Sequence, residues 1–303
     1  MTLKQKVNLM DLQGAIALKR DTFQKEVLLW ASNHLRDYPW RKIGRSPYEI
    51  LVAELLLKRT TATAVARVYE DFLRRFHSVE SISEADEAEL AQVLSKLGLQ
   101  WQRAKGIKSL ARYIMNQRRG EVPSSLNELL NVPGLGEYSA RAVMCFGFGI
   151  PIAVLDANVA RILTRVFQRV LPQKVPQRQL QEVADLLVPS KSHRKYNLGL
   201  LDLGALVCRY IVPRCDECTL NSICDFYKLD TATRALMSTT TKLHKIRLAK
   251  GVGLVQLANK ARMSKLTIIN IEAGRTAPRP ETLQKLATAL GVPVEELIVR
   301  GSK

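Results

Sequence analysis

No stretch of eighteen apolar residues occurs in the 303-residue chain, so a helical membrane span is not expected. Residues Met1–Met10 lack the apolar core of a secretory signal, and a cytoplasmic protein is expected. Alternating apolar and polar positions of the kind that mark strands are missing, as are long internal repeats and low-complexity tracts. Acidic residues are scarce: 28 Asp and Glu stand against 46 Lys and Arg, a net charge of +18. Such an excess favours a polyanionic partner, because each neutralised phosphate releases counterions. Nucleic acid is therefore favoured over a membrane surface. Cysteines number five, and in a reducing compartment they do not suggest disulfides.

What is present is helical periodicity through a chain long enough for about two domains. Residues 1–22 are polar and read as an N-terminal arm. From Phe23 to Leu35 apolar residues recur at helical spacing, and Ser46-Pro47 opens a further helix that runs through Leu57. Additional helices are expected near 61–76, 86–97, 103–118, 125–132, 137–147, 157–170, 178–188 and 194–208. A first unit ends near 228, a polar linker covers 229–240, and five short helices are expected over 241–303. The fold class is all-α.

Three features carry chemistry. Pro133-Gly134-Leu135-Gly136 forms a tight hairpin between two helical segments, leaving the first amides of the second helix for an anion such as a backbone phosphate. Twenty residues past Gly136, Asp156 follows the apolar run Ile150–Leu155. It reads equally as the N-cap of the next helix. Glu54 is less easily explained structurally: it lies among Val52, Ala53, Leu55, Leu56 and Leu57, where an unpartnered carboxylate is costly, so it should face a polar cleft, a partner or a substrate. Cys208, Cys215, Cys218 and Cys224 lie within seventeen residues, a set suited to zinc or to a cubane iron–sulfur cluster. Cys145 falls on an apolar helix face and reads as core.

Residues 23–228 resemble the helix-hairpin-helix DNA glycosylase superfamily of the endonuclease III group. The strings Pro47–Thr61, Val132–Gly136, Val154–Val159 and Asn197–Ala205 carry the likeness, and the cysteine spacing is similar to that group's 4Fe–4S loop. The resemblance implies a helix-hairpin-helix glycosylase with an iron–sulfur cluster loop, acting on double-stranded DNA with a mismatched base, hence nucleoid-associated. Glu54 and Asp156 would be catalytic, and Asn158 would line the pocket. Bifunctional members carry a lysine two residues past the second hairpin glycine; here stands Tyr138, which cannot form the imine that leads to strand cleavage. A monofunctional enzyme is expected, with Tyr138 in the catalytic set.

Thymine glycosylases acting on G·T and G·U mispairs are favoured over mismatch adenine glycosylases, which act on A·G or A·8-oxoguanine. The adenine enzymes normally append a Nudix-like domain and carry paired tyrosines near Leu97–Ala104; neither feature is present in this chain. Leu99, Gln100 or Trp101 would wedge into the gap left by a flipped base, with Lys58 and Arg59 near the estranged guanine or its phosphates.

Residues 241–300 are similar to repressor-type helix-turn-helix units, which makes Lys265, Leu266, Thr267 and Asn270 candidate base readers and Arg275 a phosphate contact. Arg262, where the turn usually has a small residue, and Leu254, in a usually polar position, depart from that pattern. Dimerisation through this unit, and a link to a restriction–modification system whose 5-methylcytosines deaminate, are further expectations. An iron–sulfur transcription regulator on a glycosylase scaffold is the reading from another class.

Overall fold

A computed structural model of the protein describes residues 9–172, 174–210, 213–229, 242–272 and 278–297. Every regular element among them is helical. None of these helices is long and apolar enough to cross a membrane.

Helix α1 spans Leu9–His34. Residues 9–22, expected as part of an arm, are its first turns: Leu12 and Ile16 are buried with Phe23, Val27 and Trp30. Their polar neighbours masked this apolar stripe. Helix α2 (Pro47–Leu57) starts at a capping box, in which the Ser46 hydroxyl accepts from the Glu49 amide and Glu49 accepts from the Ser46 amide, with Pro47 in the first turn. Ile50 to Leu56 are all buried, so α2 is the central rod of its lobe.

Helices α3 (Ala62–Ala66) and α4 (Tyr69–Arg75) divide the segment expected as one helix at 61–76. Helix α5 (Val79–Glu84), which was not expected, is announced by a Ser78–Ser81 box. Helix α6 (Glu87–Leu94) passes through a tight turn at Ser95–Leu97 into α7 (Gln100–Arg118), which begins earlier than the expected 103. The hairpin joins α8 (Leu126–Leu130) to α9 (Glu137–Ala142), and α9 continues as a wider π turn over Val143–Gly147. Helix α10 (Ala157–Val166) packs on α11 (Gln177–Leu187) and α12 (His193–Leu206), both of which pack with α1.

Two hydrophobic cores result. One gathers Ile50, Leu56, Tyr69, Phe72, Leu94, Ile107 and Leu129 from α2–α9. The other gathers Phe23, Val27, Ile162, Phe167, Leu187, Tyr196 and Leu203. The connections Arg36–Arg45 and Phe148–Leu155 run between helices of the two lobes; the first brings Arg36, Tyr38 and Arg41 to their seam, and the second, apolar throughout, leads to Asp156.

The C-terminal unit comprises α13 (242–249), α14 (Leu254–Lys260), α15 (Lys265–Glu272), α16 (Pro280–Leu290) and α17 (Val294–Leu297). Its core is Leu243, Leu257, Ile268, Ile271, Leu286 and Leu290. Arg262, in the turn between α14 and α15, adopts φ 51°, a left-handed conformation that accounts for the small residue usual in such turns. Glu272, 2 % exposed, accepts from Arg247 Nε at 2.6 Å and Nη2 at 3.0 Å and lies 3.0 Å from His244 Nδ1.

Removing one member of this buried pair strands the other. Glu272→Ala should destabilise the C-terminal unit by about 3–5 kcal/mol. Amide hydrogen exchange on the full chain should show lost protection over residues 242–297 with the rest unchanged.

Candidate active site

A cavity of about 390 Å³ opens at the seam. From α2 it receives Ala53, Glu54 and Leu57; from α9, Tyr138; from the head of α10, Asp156 and Asn158; from α12, Arg194, Leu198 and Leu201. Arg36, Tyr38, Trp40, Arg41, Thr60 and Phe146 also line it. The expected carboxylates, the tyrosine and the asparagine thus share one site, although Glu54 and Asp156 are a hundred residues apart in the chain.

Asp156 is an N-cap in full. Its Oδ1 accepts from the amides of Asn158 at 2.8 Å and Val159 at 2.7 Å, and its Oδ2 accepts from Asn158 Nδ2 at 2.7 Å. Asn158 is itself oriented, since Arg161 Nη2 donates to its Oδ1 at 2.8 Å and to the Gly204 carbonyl at 2.7 Å. Arg can only donate, so the Asn158 amide nitrogen must point at the aspartate. A Cβ on Gly204 would come within 2.6 Å of Asn158 Cβ, and only glycine lets α12 approach the head of α10 this closely. The stretch before Asp156 is pinned as well: the Val154 amide donates to Asn197 Oδ1 at 2.9 Å, and Arg141 Nη1 reaches Asp185 Oδ1 at 2.8 Å beside it.

Glu54 is 6 % exposed, and burial pushes its carboxyl up to about 8; Asp156 adds to the rise, while a hydrogen bond with Ser139 and the charge of Lys58 oppose it. At neutral pH it is chiefly protonated and can donate. Burial likewise drives the Tyr138 phenol well above its ordinary range, reinforced by Glu54 and Asp156, so it too keeps its proton.

The same cavity has a basic wall of Arg36, Arg41 and Arg194 that the sequence reading did not single out. Asp202, fully buried, accepts from the Arg36 amide at 2.8 Å, Arg36 Nε at 2.7 Å, and Arg41 Nη1 and Nη2 at 2.6 and 3.0 Å. Arg194 Nη2 donates to the Arg41 carbonyl at 2.7 Å, and Tyr38 stacks on Trp40 at 4.9 Å between ring centroids. Asp202 lies in an apolar run much as Glu54 does, and the reasoning applied to Glu54 could have found it.

A second cavity, about 410 Å³, is lined by Lys58, Arg59, Leu99, Gln102, Arg103, Pro133 and Gly134. Lys58, Arg59 and Leu99 meet there with the hairpin, and Lys58 Nζ donates to the Gly134 carbonyl. Trp101 is 59 % exposed and Gln100 half-buried, both in the first turn of α7. Gly134 takes φ 78° as the hairpin requires. Leu135 departs from the phosphate-clamp expectation: its side chain is buried in the core and its amide donates to the Val132 carbonyl at 3.0 Å.

Cys208, Cys215, Cys218 and Cys224 line a third cavity with Arg165, Phe226 and Tyr227. Arg165 Nη1 sits 3.2 Å from Cys208 Sγ, and Arg161 Nε donates to the Cys208 carbonyl at 2.6 Å. Four soft sulfur donors turned to one space fit a tetrathiolate centre. Among the described residues no group closes on the position of a single metal ion. Lys265 and Thr267 are exposed at the start of α15, Asn270 is half-buried, and Arg275 lies outside the described residues.

The helical lobes, the hairpin and the carboxylate-bearing seam define a class, and the chain belongs to it: the HhH-GPD superfamily of base excision DNA repair proteins, whose model matches residues 52–190. A helix-turn-helix model matches residues 243–297. Within the class, the chain is 37 % identical over 218 residues to a thymine/uracil-DNA glycosylase of Methanothermobacter thermautotrophicus, covering 72 % of this chain and 98 % of that protein. It is 35 % identical to an adenine DNA glycosylase of Mycolicibacterium smegmatis, covering 65 % of this chain and 67 % of that protein. The solved structure of a thermostable thymine-DNA glycosylase aligns with a TM-score of 0.66 at 37 % identity over 71 % of this chain and 99 % of its own.

The raised Glu54 carboxyl has a thermodynamic consequence. Between about 4.5 and 8 the unfolded chain ionises this group while the folded chain keeps it protonated, so its contribution to stability falls as pH rises and levels off above about 8. Glu54→Gln should therefore be more stable than wild type by about 2–4 kcal/mol at pH 8 and nearly equal to it at pH 4.5. Denaturant melts at the two pH values check this.

Proposed function

We propose that the chain is a monofunctional DNA glycosylase that removes thymine or uracil mispaired with guanine from double-stranded DNA. The observation that carries this reading is the pairing, in one cavity, of a neutral carboxyl at Glu54 with the capped Asp156, beside Tyr138. As the C1′–N1 bond of a flipped nucleotide lengthens, positive charge develops on the sugar and negative charge on the base. Asp156, with its direction set by the helix amides and Asn158, faces the sugar; at about 4 Å and an effective dielectric near 20 a carboxylate contributes roughly 4 kcal/mol, on the order of a thousandfold in rate. Glu54 donates its proton toward the departing base, which leaves with the bonding electrons. Water adds to C1′, and its proton restores Glu54. Tyr138 and Asn158 line the sugar side, and Tyr138 has no amine with which to form a Schiff base, so the product is an abasic site in an intact strand.

The basic wall supports a pyrimidine. Asp202 is fully buried and already accepts four hydrogen bonds from Arg36 and Arg41, so the wall presents arginines rather than a carboxylate to the cavity. Such an edge suits the carbonyl oxygens of thymine or uracil. Adenine would bring an amine donor to it. The relative from Methanothermobacter thermautotrophicus, matched along nearly its whole length, supports the same choice.

Cys208, Cys215, Cys218 and Cys224 would hold a 4Fe–4S cluster, which when bound would brace the loop against α10 through Arg161 and Arg165. Lys58, Arg59, Leu99, Gln100 and Trp101 would engage the duplex around the vacated position, with Gly134 and Gly136 at a phosphate. The C-terminal unit would add a second grip on DNA through Lys265, Thr267 and Asn270, and would be the place of any dimer. Action on chromosomal DNA would put the protein at the nucleoid.

Duplexes bearing G·T, G·U, A·G or A·8-oxoguanine, incubated with enzyme and then treated with alkali, test the assignment. Strand breaks after alkali should appear for G·T and G·U and fall by about a thousandfold in Asp156→Asn. Breaks before alkali would refute the monofunctional reading, and release from the A-containing duplexes alone would move the assignment to adenine. For the cluster, purified protein should carry four irons per chain with visible absorbance, and Cys218→Ala should lose them.

A further inference from the structure

The residues around the second cavity are held in a way that the chemistry of the first does not require. Segment Leu57–Thr60 is a partition: Leu57 and Thr60 line the catalytic cavity, while Lys58 and Arg59 line its neighbour. Arg59, exposed, stands at φ 52°; Leu99, 57 % exposed, stands at φ 52° on the facing turn. Left-handed backbone is unfavourable for bulky residues and persists where the surroundings over-determine it. Here one side chain supplies that constraint for both turns. Arg103 Nε donates to the Gly98 carbonyl at 2.9 Å, its Nη1 to the Leu56 carbonyl at 3.3 Å, and its Nη2 to the Lys58 carbonyl at 2.7 Å and to the Thr60 hydroxyl.

We infer that Arg103 is the positioning residue of a two-pronged wedge, holding Arg59 and Leu99 at a set separation so that both enter the duplex while Thr60 stays at the rim of the catalytic cavity. A planar guanidinium suits the task because its fixed donors span carbonyls of two separate turns, which a lysine's single ammonium cannot do. Leu99 brings an apolar side chain able to replace a base in the stack, and Arg59 a cation able to reach the partner strand. Thr60 accepts from the same guanidinium, but Glu54 and Asp156 are held by other partners, so loss of Arg103 leaves the acids of the pocket in place. Arg103 acts on the reaction only through the wedge. The inference rests on the reading that the chain extrudes a base from duplex DNA.

The test compares full-length wild type, Arg103→Lys and Arg103→Ala in single-turnover excision of uracil, from a G·U duplex and from the same strand in a three-base bubble where no stack has to be opened. Arg103→Ala should be slower by about a hundredfold on the duplex, the scale of a misplaced positioning group. On the bubble it should stay within about threefold of wild type, and Arg103→Lys should fall between on the duplex. Equal losses on both substrates, or no loss on either, would overturn the inference. A readout independent of turnover uses Asp156→Asn protein and the fluorescence of 2-aminopurine beside the mispair. Bound protein with Arg103 intact should raise the fluorescence, and bound protein carrying Arg103→Ala should not. An Arg103-dependent rise, together with no excision of any base by wild-type protein, would sink the glycosylase reading and leave the wedge standing; an Arg103-independent rise would sink the wedge.

Discussion

An ionisable carboxyl buried without a full counter-charge is the constraint around which this structure is arranged. Glu54 lies in α2, where its neighbours in sequence are buried in the core of one lobe. It escapes the cost of ionisation by staying protonated, and it does so at a seam where a second lobe brings Asp156 and the basic wall to the same cavity. The surroundings of the two acids differ: Glu54 is desolvated, whereas Asp156 receives three hydrogen bonds from the head of α10. Folding tolerates the first because the cavity uses it. Strain and desolvation of this kind concentrate where chemistry is done.

Arginine is the other organising element, and it explains part of the chain's positive charge without reference to DNA. Arg36 and Arg41 close on Asp202, Arg141 on Asp185, Arg161 on Asn158 and the Gly204 and Cys208 carbonyls, and Arg247 on Glu272. Each guanidinium ties segments far apart in sequence by several directed bonds, and each lies partly or wholly out of water. The charge excess therefore has two components, one spent inside on positioning and one exposed, as at Lys260, Arg262 and Lys265. Only the exposed part can give the salt dependence expected of a nucleic-acid binder.

Much of the fold was legible in local pattern. The helical class followed from periodicity and the hairpin from its glycines, while the expected linker at 229–240 lies, but for its first residue, outside the described residues. Where reading failed, the cause was local ambiguity. The polar surroundings of Leu12 and Ile16 hid the start of α1, and α5 is too short for a periodic signal. Glu54 was noticeable because a charge inside an apolar run is anomalous, and Asp202 presented the same anomaly unremarked.

By itself the sequence determined the residue types and their spacing: which carboxylates sit in grease, that a tyrosine stands after the hairpin, that four cysteines fall within reach of one another, and that α10 begins at an aspartate. Those are properties of neighbours along the chain, set by helix capping, turn chemistry and burial cost. Only the tertiary structure decided that Glu54 and Asp156 face one cavity, that its basic wall carries arginines anchored on Asp202, and that Arg103 locks two turns from different helices. Such relations depend on how two cores meet at a seam, and no local periodicity encodes the distance between residues brought there from opposite lobes.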